Sequence, residues 1–171
     1  MRIRRSLDAL YDAAAYLAAL FLIGTLAMVL LGIVGRWLAF HVPGTDAYAG
    51  YCMAAAGFLA LAHTLKRGEH IRVTLLIERL QPRARRAVEL WALGAGTLLA
   101  LLFAWFSGRL AWQSFDFNDV STASDATPLW FPQLSMALGT LVLAIAFVDE
   151  LVRELRGERR RTTPTAPAFN E

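Results

Sequence analysis

Four stretches without a single Asp, Glu, Lys or Arg constrain this chain more than anything else in it. They cover 13–35, 47–65, 90–108 and 126–148, with lengths of 23, 19, 19 and 23 residues. An α-helix rises 1.5 Å per residue, so a hydrocarbon core of about 30 Å takes roughly 20 apolar residues. The runs are apolar on every face, not along one stripe as in a helix of a soluble bundle. The sequence therefore predicts an all-α membrane protein with four transmembrane helices, at about 13–36, 47–66, 87–109 and 126–149. Residues 1–156 read as a single four-helix transmembrane domain. The first run exceeds the apolar core of a signal peptide, roughly 7–15 residues, and reads as a retained helix.

A soluble domain carries about 25% charged residues; here the figure is 18%, gathered into five islands around the runs. Lys and Arg divide unevenly among them. Three lie in the N-terminal tail (Arg2, Arg4, Arg5), one at Arg36, seven between Lys66 and Arg86, one at Arg109 and five in the C-terminal tail, so that fifteen of seventeen fall on one side. Basic residues collect in cytoplasmic loops, which predicts cytoplasmic N and C termini. The high isoelectric point, near 9.5, follows from these flanking charges and does not point to nucleic acid. Trp37, Trp105, Trp112 and Trp130 fall toward the opposite ends of their helices, where indole rings favour the headgroup level. Residues 157–171, rich in Thr and Pro, are expected to form a disordered cytoplasmic tail.

The segment LKRGEHIRVTLLIERLQ, residues 65–81, is both basic and apolar. Val73, Leu76, Ile77 and Leu80 share one helical face at i, i+3, i+4, i+7 spacing, while Arg72 and Arg79 point elsewhere. The pattern predicts a short amphipathic helix over about 71–80. It would lie in the membrane interface, with Arg72 and Arg79 on lipid phosphates. Pro82 suits the first position of the helix that follows, where its missing N–H is not needed.

The same segment carries a resemblance. A basic pair followed by His-Ile-x-Val and an aliphatic run, here Lys66, Arg67, His70, Ile71 and Val73, is similar to the cytoplasmic loop of the small membrane subunit of TRAP (tripartite ATP-independent periplasmic) transporters, the DctQ-like family. Arg36 closing the first span, the polar turn HVPGTDAYAGY with Asp46 entering the second, and STASDATPLWFPQLSMALG leading into the fourth also resemble it. The chain departs from the family at Thr74, where an acidic residue is common, and at Asp46, which Ala47 follows in place of a second acid. The resemblance implies an accessory subunit that scaffolds a larger permease. That permease would take up an organic acid delivered by a periplasmic binding protein, driven by Na+.

The chemistry of the runs agrees with an accessory role. A charge at mid-bilayer costs at least roughly 2.5–3.5 kcal/mol and is kept for function, and the four runs hold none. Gly24, Gly32, Gly94, Gly96 and Gly139 are candidates for close helix contacts. Arg36 either pairs with Asp46 or snorkels to phosphate. Asp116, Asp119 and Asp125 either dock the binding protein or are solvated. Cys52, the lone cysteine, is a packing residue. No catalytic residue, cofactor or metal is expected, and the chain does not read as an enzyme. The runner-up is a four-helix anchor of a respiratory oxidoreductase, in which His63 and His70 form the one conceivable haem pair. A small multidrug exporter would need a membrane-embedded carboxylate, which the runs lack.

Overall fold

The computed structural model describes residues 2–40, 42–67, 81–123 and 125–157. The amphipathic helix expected over 71–80 and the tail beyond 157 lie outside them. Among the described residues are four helices: α1 (Arg2–Trp37), α2 (Thr45–Arg67), α3 (Pro82–Asp116) and α4 (Trp130–Leu155). Each is long and apolar enough to cross a membrane. α3 opens on Pro82, as its fixed φ and missing N–H favour.

The helices extend beyond the charge-free runs. α1 has 36 residues, about 54 Å at 1.5 Å each, and so overshoots the hydrocarbon core. Its first turns, read from sequence as a tail, continue the helix because Leu7, Tyr11, Ala14 and Ala18 keep one apolar face toward the neighbouring helices. At the far end of α1, Ala39 turns the chain back in the left-handed region (φ 54°), and the Phe40 N–H donates to the Gly35 carbonyl at 3.0 Å. α3 ends the same way. Asn118 is left-handed (φ 52°), and the Asp119 N–H reaches the Ser114 carbonyl at 3.0 Å.

Packing follows the order α1–α2–α4–α3. α2 and α4 are the central pair, with about a third of their spanning residues buried, against 6% in α1 and 17% in α3. α3 meets α2 through long side chains, the Phe58 and Phe103 rings lying edge to face at 5.9 Å. The arrangement is a row of helices with two thinly covered flanks.

The interior is built from small residues. Ala14, Ala18, Ala55, Ala56, Ala62, Ala100, Ala111, Ala144 and Ala146 are buried, while Leu20, Ile23, Leu98, Phe106 and Leu141 face outward. Lipid tails are as apolar as leucine, so helices in a bilayer associate through close backbone approach more than by hiding large side chains. Gly139 is the clearest case: a Cβ there would sit 2.6 Å from the Phe58 carbonyl carbon. At Gly96 it would meet the Phe147 ring at 2.6 Å, at Gly32 the Thr45 hydroxyl at 3.1 Å and at Gly24 the Cys52 sulfur at 3.3 Å. Gly94 faces open space. Four of the five glycines picked from sequence thus lie at contacts, and Gly94 does not. Two buried threonines within the spans bond along their own helices: Thr140 Oγ1 donates to the Met136 carbonyl at 2.8 Å and Thr97 Oγ1 to that of Leu93 at 2.7 Å.

Candidate functional site

Charged groups gather at the two ends of the row, and the apolar runs between them hold none. At the end holding the N terminus of α1 and the C terminus of α2, Lys66 Nζ lies 2.9 Å from Asp8 Oδ1 and 5.6 Å from the centre of the Tyr11 ring. His63 Nδ1 is 3.6 Å from Asp12 Oδ1, too far for a hydrogen bond, and has no hydrogen-bond partner among the described residues. On α4 nearby, Glu150 accepts from Arg153 at 3.1 Å, and Arg85 of α3 donates to Glu89 at 3.1 Å. Lys66, the first residue of the basic pair, is thus held by α1. Arg67 closes α2. His70, Ile71, Arg72, Val73 and Arg79 lie outside the described residues.

Sequence reasoning missed Asp8, Tyr11 and Asp12, having placed them in a tail. The signal was there: Asp8 and Asp12 are four apart on one helical face, as are Leu7 and Tyr11.

At the opposite end the α1–α2 loop touches the α3–α4 loop. Gly44 makes this possible: its φ is +80°, and a Cβ would fall 2.7 Å from the Asp125 Cβ. Residues 117–129 double back on themselves. The Ser121 N–H donates to the Thr127 carbonyl at 2.8 Å, and the Leu129 N–H to that of Asp119 at 2.9 Å. Asp125 ties this loop to α2. Its carboxylate accepts from the Ser121 hydroxyl at 3.0 Å, the Tyr51 hydroxyl at 3.2 Å and the Thr127 N–H at 3.3 Å. The Thr127 hydroxyl in turn donates to Tyr48 at 3.1 Å. Asp125 is therefore a structural tie, whereas Asp116 and Asp119 are exposed.

Hydrogen bonds from Thr127, Ser121 and Tyr51 hold the Asp125 carboxyl below its ordinary range, against a smaller opposing effect of desolvation. A depressed folded-state pKa stabilises the loop fully above the unfolded value, about 3.9. That contribution is lost as pH falls through the lower folded value. Trp130 emission, titrated from neutrality into the acid range, is expected to report loosening of the loop only below the ordinary carboxylate pKa. The Asp125→Asn variant should lack that transition; an identical titration in the variant would contradict the assignment.

Arg36 and Asp46 share the same end but are not joined. Ion pairs form elsewhere, at Asp8–Lys66, Arg85–Glu89 and Glu150–Arg153. Arg36 and Asp46 instead line a cleft between the C terminus of α1 and the N terminus of α2. The ion pair weighed from sequence is therefore not formed.

Four membrane-crossing helices, polar at their ends and assembled through small residues, define a multi-pass membrane protein. The chain belongs to the DctQ component family of tripartite ATP-independent periplasmic transporters, whose family model matches residues 25–157. This makes it a small membrane component of a transporter, and the segment from Lys66 to Val73 falls inside the matched region. No curated protein matches the chain.

Proposed function

We propose that this chain scaffolds the large permease subunit of a TRAP transporter in the bacterial inner membrane, with both termini cytoplasmic. The permease performs Na+-driven uptake of an organic acid that a periplasmic binding protein delivers. The observation that carries this reading is the family match over most of the chain, joined to four spans without a charged side chain in their apolar runs. A protein that moved an organic anion and Na+ by itself would be expected to carry ionisable groups at depth. An even number of spans puts the two tails on one side, and the fifteen basic residues favour the cytoplasm. The thinly covered flanks of α1 and α3 offer surface for a larger subunit as well as for lipid.

A tagged pull-down from native membranes in mild detergent tests the reading. Recovery of one much larger multi-span protein, with no haem absorption band, is expected. Recovery of the chain alone, or of a redox subunit with a haem band, would overturn it.

Within this reading Lys66, Arg67, His70, Ile71 and Val73 form the cytoplasmic motif that meets the permease, and Arg72 and Arg79 hold the 71–80 helix to anionic headgroups. Basic residues near a membrane surface contribute about 1 kcal/mol each. The double variant Arg72→Glu/Arg79→Glu is thus expected to lower the amount of assembled complex several-fold. Unchanged assembly and uptake would remove the two arginines from that role.

A further inference from the structure

The cleft between α1 and α2 has a volume of about 310 Å³ and is lined by Gly32, Gly35, Arg36, Phe40, Thr45 and Asp46, among others. Its shape is built in. Gly35 carries no side chain because a Cβ would lie 2.9 Å from the Phe40 carbonyl oxygen, and Gly32 none because one would lie 3.1 Å from the Thr45 hydroxyl. The left-handed turn at Ala39 brings Ala39, Phe40 and Val42 into the lining. Arg36 stands in the last turn of α1 and Asp46 in the first turn of α2, each with the sign that its helix end favours. Both are exposed, both line the same cavity, and they are not bridged to each other. Trp37, 85% exposed, sits beside Arg36 and marks the headgroup level. Below it Leu30, Ile33 and Val34 present an apolar flank of α1 outward.

We infer that this cleft binds the headgroup of a zwitterionic phospholipid with a primary ammonium, phosphatidylethanolamine. A guanidinium matches the phosphate with paired donors. The carboxylate of Asp46 accepts from the ammonium, and the acyl chains run down the α1 flank. A separated cation and anion lining one cleft select a ligand that carries both charges. A choline headgroup has no N–H to give Asp46, and a glycerol headgroup has no cation. The volume, room for several waters, accommodates a phosphoethanolamine group. The inference is independent of the transport role, since it needs only the membrane placement of α1 and α2.

Native mass spectrometry of the purified full chain tests it, after incubation with equal amounts of phosphatidylethanolamine, phosphatidylcholine and phosphatidylglycerol. Losing a hydrogen bond to a charged group is worth about tenfold in retention, so phosphatidylethanolamine should be kept about tenfold over phosphatidylcholine, and also above phosphatidylglycerol, which brings no cation to Asp46. Arg36→Gln should lose bound phospholipid of every kind, with partial rescue by Arg36→Lys. Asp46→Asn, at an exposed position, should keep phospholipid but no longer distinguish ethanolamine from choline. Equal retention of the three lipids by the unaltered chain would overturn the proposal, as would an intact ethanolamine preference in Asp46→Asn. So would release of the lipid by inorganic phosphate, which would mean that the cleft reads phosphate alone.

Discussion

Gly139→Ala is expected to destabilise the folded protein by about 1–3 kcal/mol, the range for forcing an extra methyl into a filled contact. The added Cβ would lie 2.6 Å from the carbonyl carbon of Phe58 and 2.7 Å from its oxygen. These are backbone atoms and cannot swing aside as a side-chain end would. α2 and α4 are the central pair of the row, so separating them loosens the joint on which α1 and α3 are hung. Helix propensity works in the opposite direction, favouring alanine over glycine by up to about 1 kcal/mol; the steric term wins because the clash is with main chain. Gly94→Ala is the matched control, since a Cβ there meets nothing within 4 Å. It should be neutral or slightly stabilising. Gly96→Ala should fall between them, because its neighbour is the edge of the Phe147 ring, which can rotate. Unfolding of each variant in mixed detergent micelles measures the order. Equal stability of Gly139→Ala and Gly94→Ala would mean that α2 and α4 do not cross at this point.

The contrast between these glycines marks what could be read from the sequence. Four spans were legible because hydrocarbon tolerates so few charges that the islands of Lys, Arg, Asp and Glu bracket each run. The family was legible from Lys66, Arg67, His70, Ile71 and Val73 and from the elements around the spans, and the match over 25–157 supports it. Which glycine lies at a helix crossing was not legible, because hydropathy is the same on the side of a helix facing lipid as on the side facing a neighbour. Gly94 and Gly139 look alike in composition and differ only in what stands opposite.

The ends of the row were read least well, for a related reason. Charge ended each predicted run, so Asp12 closed the first one although the helix continues to Arg2. The extension is held by contacts distant in sequence, Asp8 to Lys66 and Tyr11 to the α2–α4 core, which no local pattern announces. Arg36 and Asp46 show the converse. Opposite charges ten residues apart across a turn suggest a pair, but the turn at Ala39 places them on the wall of a cleft instead. Asp125 resembles its acidic neighbours in sequence, yet three hydrogen bonds make it a tie between the α3–α4 loop and α2.

Tyr11→Ala is expected to cost about 3–5 kcal/mol, as for other buried aromatic residues cut back to alanine. Tyr11 is 2% exposed and packs with Ala62, Leu65, Leu143 and Ala144, tying the overhanging first turns of α1 to both central helices. Its truncation also removes the ring beneath the Lys66 ammonium, a contact worth roughly 0.5–1 kcal/mol at a partly exposed site. Tyr11→Phe separates ring from hydroxyl. The hydroxyl is buried without a hydrogen-bond partner among the described residues, and such burial costs about 1–3 kcal/mol, so phenylalanine should leave stability unchanged or raise it. A Tyr11→Phe variant as unstable as Tyr11→Ala would show that the hydroxyl, not the ring, holds α1 in place. The two variants should also differ in how the N-terminal turns meet trypsin. In Tyr11→Ala the Asp8–Lys66 pair remains as the main restraint on those turns. A half-exposed ion pair of this kind contributes little, at most about 1 kcal/mol. Cleavage after Arg4 and Arg5 should therefore accelerate in Tyr11→Ala and not in Tyr11→Phe. The same extension positions Lys66 at the start of the basic motif, so under the proposed scaffolding role Tyr11→Ala should also weaken recovery of the larger subunit while Tyr11→Phe leaves it intact. That result would connect packing of the α1 overhang to assembly through a residue that needs no contact with the partner itself.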